Sequence, residues 1–197
     1  NLTTTDNFNS GGKQFGGWVN PGLASGDAPG GGGYGGLGAR SETIVGTGQY
    51  GDISPGGQTY GDADLTHLFG GSGGGGGNER SGGTGGGAVR IVSGGTLTIA
   101  GDIHAIGGKG GSRPNDARLS GGSGSGGAIY LKGDHVVINA GVSIRADGGA
   151  GATGITAGDA YATDGGGPGA AAGGGGRLYL EATSSLVNHE SNTNANV

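Results

Sequence analysis

The sequence predicts an all-β chain: a glycine-rich parallel β-helix or solenoid-like fold with polyglycine II-type helical tracts. Three observations predict it. Glycine supplies 58 of 197 residues, against an average usage of about 7%. Short runs of alternating apolar residues recur between the glycine tracts. Those runs also line up with one another as internal repeats, the signature of stacked architectures.

The first repeat, GGAVRIVSGGTLTIAGDIHAIGGKG, begins at Gly86; the second, GGAIYLKGDHVVINAGVSIRADGGAG, begins at Gly126; the third, GGRLYLEA, begins at Gly175. Within them the apolar period is two, as a half-buried strand demands. Val89 and Ile91 share one face, matched by Ile129 and Leu131 and then by Leu178 and Leu180. The opposite face carries Arg90, Tyr130 and Tyr179. Leu97 and Ile99 repeat as Val136 and Ile138, and Ile103 and Ala105 as Ile144 and Ala146. Each repeat therefore predicts three short strands separated by glycine or small-residue corners. One such coil cannot bury its apolar face alone and needs a neighbour stacked on it. A small β-sandwich, with the glycine segments as long loops, is the rival arrangement.

The tracts at residues 30–38, 70–77, 82–87, 121–127 and 165–176 are unusually long for structureless loops. Collagen fails as an account, because glycine does not hold every third position and the chain has only 5 prolines. Extended three-fold glycine helices are the ordered alternative. Lacking side chains, they approach closely and pair their backbone groups laterally.

Periodicity is weaker before the first repeat. Residues 1–69 read as an N-terminal cap or first layer of the same domain, 70–181 as the glycine-rich β repeats, and 182–197 as a polar tail or linker. The stretch YGDADLTHLFGG predicts one short helical turn, with Asp62 or Asp64 near its start. A chain that opens at Asn1 and contains no methionine is expected to be a mature product or a piece of something longer.

Composition narrows the function classes. The formal net charge is −5 and the ten Lys and Arg residues form no cluster, which points away from nucleic acid. No apolar stretch reaches the ~20 residues of a membrane span. With no cysteine, there is neither disulfide nor thiolate metal site.

Taken together, YGDADLTHLFGGSGGGGG, the two long repeats and GGGGRLYLEA resemble glycine-rich segments of large secreted or cell-surface, adhesin-like proteins of bacteria and protists. The resemblance spans residues 30–181 and implies an extracellular structural or adhesive role. It brings no catalytic motif. The tracts also resemble the polyglycine-helix bundles of phage fibre adhesins and antifreeze proteins. This chain departs from those in its strong β runs and in lacking a strict three-residue period, which points away from ice binding.

Among individual residues, Asp102, Asp134 and Asp147, with His104, His135, Lys132 and Arg145, were the place to seek paired acids for sugar chemistry. Aspartates beside glycine more often form turns by bonding their own backbone. Asp62 and Asp64 are the candidates for a calcium site, without the spacing of an EF-hand. Ser72, Ser123 and Ser125 stand beside glycines as in fragments of a nucleophile elbow, but a strand follows GGSGSGG where such an elbow needs a helix. GGKGG lacks the serine or threonine and the helix of a phosphate-binding loop. Trp18, Tyr34, Tyr130 and Tyr179 are the aromatic candidates for contact with a glycan or a protein partner. The expectation is a non-enzymatic module needing no cofactor. It would associate with itself or with neighbouring domains of a longer chain, as the subunit of a surface filament, with carbohydrate binding as the alternative and a polysaccharide-active enzyme behind it.

Overall fold

The computed structural model describes residues 30–39, 56–76, 81–111, 121–151 and 171–189. Among these there is no helix, and six strands are formed: β1 Ala88–Val92, β2 Thr96–Ile99, β3 Ile103–His104, β4 Ala128–Ile138, β5 Ile144–Arg145 and β6 Arg177–Asn188. The architecture is sheet-based, and every strand pairing is parallel. β4 is the centre of the larger sheet. β1 and β2 lie end to end along one side of it and β6 along the other, while β3 pairs with β5 in a second, two-stranded sheet.

The register matches equivalent positions of the repeats. Val89, Ile129 and Leu178 are partners across the three strands, as are Ile91, Leu131 and Leu180, and Arg90, Tyr130 and Tyr179. Further along, Leu97 pairs with Val136 and Val136 with Leu186. Ile103 pairs with Ile144 in the small sheet. A one-residue slip would turn every apolar side chain to the wrong face, so the alternation itself holds this register.

The inward face forms one apolar core around Ile129, Leu131, Val136, Ile138 and Ile144, with Leu97, Ile99 and Val142 beside them. β2 shows the logic most simply: Leu97 and Ile99 are buried while Thr96 and Thr98 are exposed. A second apolar cluster covers the other face at the start of β4, where Tyr34, Leu65, Ala128 and Tyr130 meet, flanked by Tyr60, Leu68 and Tyr179. Residues 128–131 are consequently buried on both faces.

Three local features differ from the sequence-based expectation. The first two strands of the second repeat are one continuous strand, β4, with an irregularity in its pairing between Gly133 and His135. The third repeat does not end at Ala182. β6 runs on to Asn188, with Ser185, Leu186 and Val187 opposite His135, Val136 and Val137. Finally, the predicted helical turn near residue 64 is a single tight turn, closed by the Leu65 amide on the Asp62 carbonyl, followed by a bend at 66–67. Leu65 there adopts φ 53°, a conformation that disfavours a helix, while its side chain is fully buried.

The glycine tracts form an ordered layer of their own. In 121–127 the backbone amides turn to three neighbouring tracts with a period of three residues. Gly121, Gly124 and Gly127 donate to Gly111, Gly108 and Ala105; Gly122 and Ser125 donate to Gly75 and Ser72; Ser123 and Gly126 donate to Ala171 and Gly174. Carbonyls of the same tract accept from three other segments: Gly122 and Ser125 from Gly83 and Gly86, Ser123 from Gly32, and Gly124 from Gly149. All seven amides of this tract are thus paired laterally rather than within the segment.

Close approach is what demands glycine here. An added Cβ at Gly124 would fall within 3.0 Å of the backbone of Thr84 and Gly83, and at Gly174 within 3.0 Å of the backbone of Gly36 and Leu37. Left-handed φ values do not explain the tracts, because among the described glycines only Gly61 and Gly141 have them. The tract serines fit because their hydroxyls bond to backbone. Ser72 Oγ donates to the Gly33 carbonyl at 2.7 Å, and Ser123 Oγ donates to the Ala150 carbonyl at 2.6 Å while accepting from the Gly110 amide at 3.2 Å.

Candidate functional site

The most organised side-chain array is a ladder across the larger sheet that runs from the second core to the sheet's edges. In-register parallel strands place equivalent residues one strand spacing apart, so Arg90, Tyr130 and Tyr179 stack. The tyrosine rings lie 5.1 Å apart and 9° from parallel, and the Arg90 guanidinium sits 4.2 Å from the centre of the Tyr130 ring, a cation–π contact. Two residues along the same face, Lys132 Nζ meets Glu181 Oε1 at 2.8 Å. That hydrogen bond, with the charge of Glu181, raises the Lys132 ammonium above its usual range. The Tyr130 hydroxyl reaches the other Glu181 oxygen at 3.5 Å.

The ladder ends on open strand edges. Among the described residues, β1, β2 and β6 each pair with β4 and with no other strand, so each has an unpaired outer edge. β6 is 12 residues long, with its last six residues exposed. The exposure falls on residues that are buried elsewhere in the same ladder. Leu97 is 9% and Val136 0% exposed, whereas Leu186, their equivalent on the edge, is 50% exposed.

The chain matches no family model, no curated protein and no solved structure. Its chemistry must be read from its own residues.

Of the aromatic candidates, Tyr34 is fully buried and Tyr130 is 7% exposed, so neither offers a ring face for a sugar to lie on. Tyr34 packs at 4.8 Å from Tyr60, and burial raises the phenol of each above its ordinary range, opposed at Tyr34 by the nearby Arg177 charge. Arg177 itself donates to the carbonyl of Tyr60 at 3.2 Å, tying β6 to the covering segment. Tyr179 is partly buried. Trp18 lies outside the described residues.

Asp62 and Asp64 serve their own turns. Asp62 Oδ2 accepts from the His67 amide at 3.2 Å and contacts His67 Nδ1 at 2.7 Å, while Asp64 Oδ1 accepts from the Thr66 amide at 3.1 Å. Those hydrogen bonds hold both carboxyls below the usual carboxylate range. Among the described residues, no three His, Cys, Asp or Glu side chains gather as they would around a metal ion.

The residues weighed for catalysis are dispersed among local contacts. Asp147 is ion-paired to Arg145 at 2.5 Å, and Asp134 accepts from the Thr183 hydroxyl at 2.9 Å. His135 Nδ1 bonds to Ser185 Oγ at 2.8 Å. Asp102, His104 and Ser143 superficially suggest a triad. However, His104 Nε2 is the atom nearest both Ser143 Oγ, at 3.3 Å, and Asp102, at 4.0 Å. A relay needs the acid on the other ring nitrogen. Asp102 instead accepts from the Ser143 amide at 2.8 Å. A groove of about 730 Å³ beside β5 is lined by Arg145, Asp147 and Arg177 among backbone glycines, and two of these three charged groups are already paired to each other.

Sequence reasoning missed Glu181 and Leu186. The signal was present: SLVN after Ser184 reads in step with HVVI after Asp134, with alternation weakened by the serine and the asparagine. No helix among the described residues is long and apolar enough to cross a membrane.

Proposed function

We propose that the chain is a rigid extracellular structural and adhesive module, a non-enzymatic subunit that assembles into a surface filament. In this reading the strands are coils of a parallel β-helix or solenoid, and the tracts beside them form a polyglycine II-type bundle. The three-residue rotation of amides in 121–127 supports the bundle, since a three-fold extended helix has no internal hydrogen bonds and points its backbone groups outward. The location outside the cell rests on the resemblance read in the sequence, that of its tracts and repeats to glycine-rich segments of adhesin-like proteins.

One observation carries the function: the in-register stack β1/β2–β4–β6 is unpaired at both outer edges among the described residues. Proteins that stay solitary blunt such edges with charge, proline or a covering segment. β6 instead presents Leu186 and Val187, which are 50% and 41% exposed. A head-to-tail contact between unlike surfaces propagates into a fibre when its rotation does not close into a ring. The reading needs no metal and no cofactor. The carbohydrate-binding reading has less behind it, because two of its ring faces are buried.

Electron microscopy of the concentrated full chain tests this proposal. Unbranched fibres with a regular axial repeat are expected. A chain that stays monomeric at every concentration, by sedimentation and on the grid, overturns it.

A further inference from the structure

We infer that the β6 edge of one copy receives the β1–β2 edge of the next copy, in the parallel register that β4 already holds with its own neighbours. This rests on the filament reading and specifies its interface.

The argument is the continuity of the ladders. β4 faces β1 and β2 on one side and β6 on the other, and three inward steps are aliphatic in all three strands: Val89/Ile129/Leu178, Ile91/Leu131/Leu180 and Leu97/Val136/Leu186. Adding a second copy beyond β6 sets its Val89 against Leu178, its Ile91 against Leu180 and its Leu97 against Leu186. The exposed half of Leu186 then acquires the kind of neighbour that buries Val136 completely. The incoming Arg90 lies over Tyr179 as Arg90 already lies over Tyr130 within one chain. It also falls diagonal to Glu181, so a positive group on one edge meets a negative group on the other. Val92, 59% exposed at the end of β1, comes opposite Glu181. The opposite pairing, β6 against β6, brings no positive group of β1 to Glu181 and leaves the outer face of the Tyr179 ring without a cation.

The register predicts a specific cross-link. Within one chain Val92 and Glu181 are both partners of Lys132, on opposite sides of it. They are two strand spacings apart, roughly 9.5 Å, beyond the ~7 Å Cα limit for a disulfide. Between copies they are directly opposite, one spacing apart. The natural chain has no cysteine, so every disulfide of a Val92→Cys/Glu181→Cys variant involves only these two positions. The single Val92→Cys and Glu181→Cys variants, which should stay monomeric on the same gel, rule out like-with-like pairs. Under mild oxidation it should give a ladder of reducible multimers on denaturing gels. The shifted variant Val92→Cys/Thr183→Cys should give at least about tenfold less. Fibres that form under reducing conditions but give no ladder on oxidation overturn the edge assignment and leave the filament reading standing. Equal cross-linking by the shifted pair overturns the register. Monomers of the natural chain under all conditions remove both the interface and the filament.

Discussion

Gly124→Ala should destabilise the chain by about 3 kcal/mol or more, at or above the upper end of the usual range for overpacking a close-packed interior. The added methyl meets the backbone of Thr84 and Gly83, and backbone cannot rotate aside as a side chain can. Making room means displacing a segment whose Gly124 amide donates to Gly108 at 2.9 Å and whose Gly124 carbonyl accepts from Gly149 at 2.8 Å. Gly101→Ala is the control. An added Cβ at Gly101 meets nothing within 4 Å, and its φ lies outside the left-handed region. That substitution should be neutral or stabilise by up to about 1 kcal/mol, through the loss of freedom in the unfolded chain. Denaturant midpoints at constant slope measure both. Equal, small effects would mean that the tracts are not packed.

Leu131→Ala should cost about 2–5 kcal/mol, the range for emptying a fully buried aliphatic site. Leu131 is 0% exposed and sits in the middle of a ladder between Ile91 and Leu180. Collapse around the cavity is limited because the strands on both sides are hydrogen-bonded to β4. The comparison is Leu186→Ala on the edge, which in unassembled chain should cost about 1 kcal/mol or less, closer to a surface substitution. Equilibrium unfolding of dilute protein measures the pair. A Leu131→Ala cost no larger than that of Leu186→Ala would show that β4 is not the centre of the core.

How much of this was legible depended on whether side chains carried the pattern. Val89, Ile129 and Leu178 align in the sequence and are partners in the sheet, because period-two alternation records which face is buried. β6 was cut short because Ser184 and Ser185 interrupt the apolar signal, although the edge position tolerates them. The turn at Asp62 was misread as helical. Asp64 bonds the amide of Thr66 two residues on, as a helix cap would, whereas Asp62 bonds that of His67 five residues on and Leu65 is left-handed. The tracts were legible as special but not as arranged. Glycine carries no side-chain pattern, so nothing local in 121–127 says that 72–75, 105–111 and 171–174 receive its amides. The aromatic candidates were equally ambiguous. Tyr34 and Tyr130 look like binding residues in isolation, but a chain this poor in large apolar side chains uses them to close its second core.

Hydrogen exchange of the natural chain, resolved to single segments, tests most directly whether its interior is built from backbone as well as from side chains. The account predicts that amides of 121–127 exchange about as slowly as those of β4, because both open only when the whole structure unfolds. Exchange of 121–127 at the rate of an unstructured peptide, with β4 still protected, would contradict it and make the tracts flexible linkers between strands.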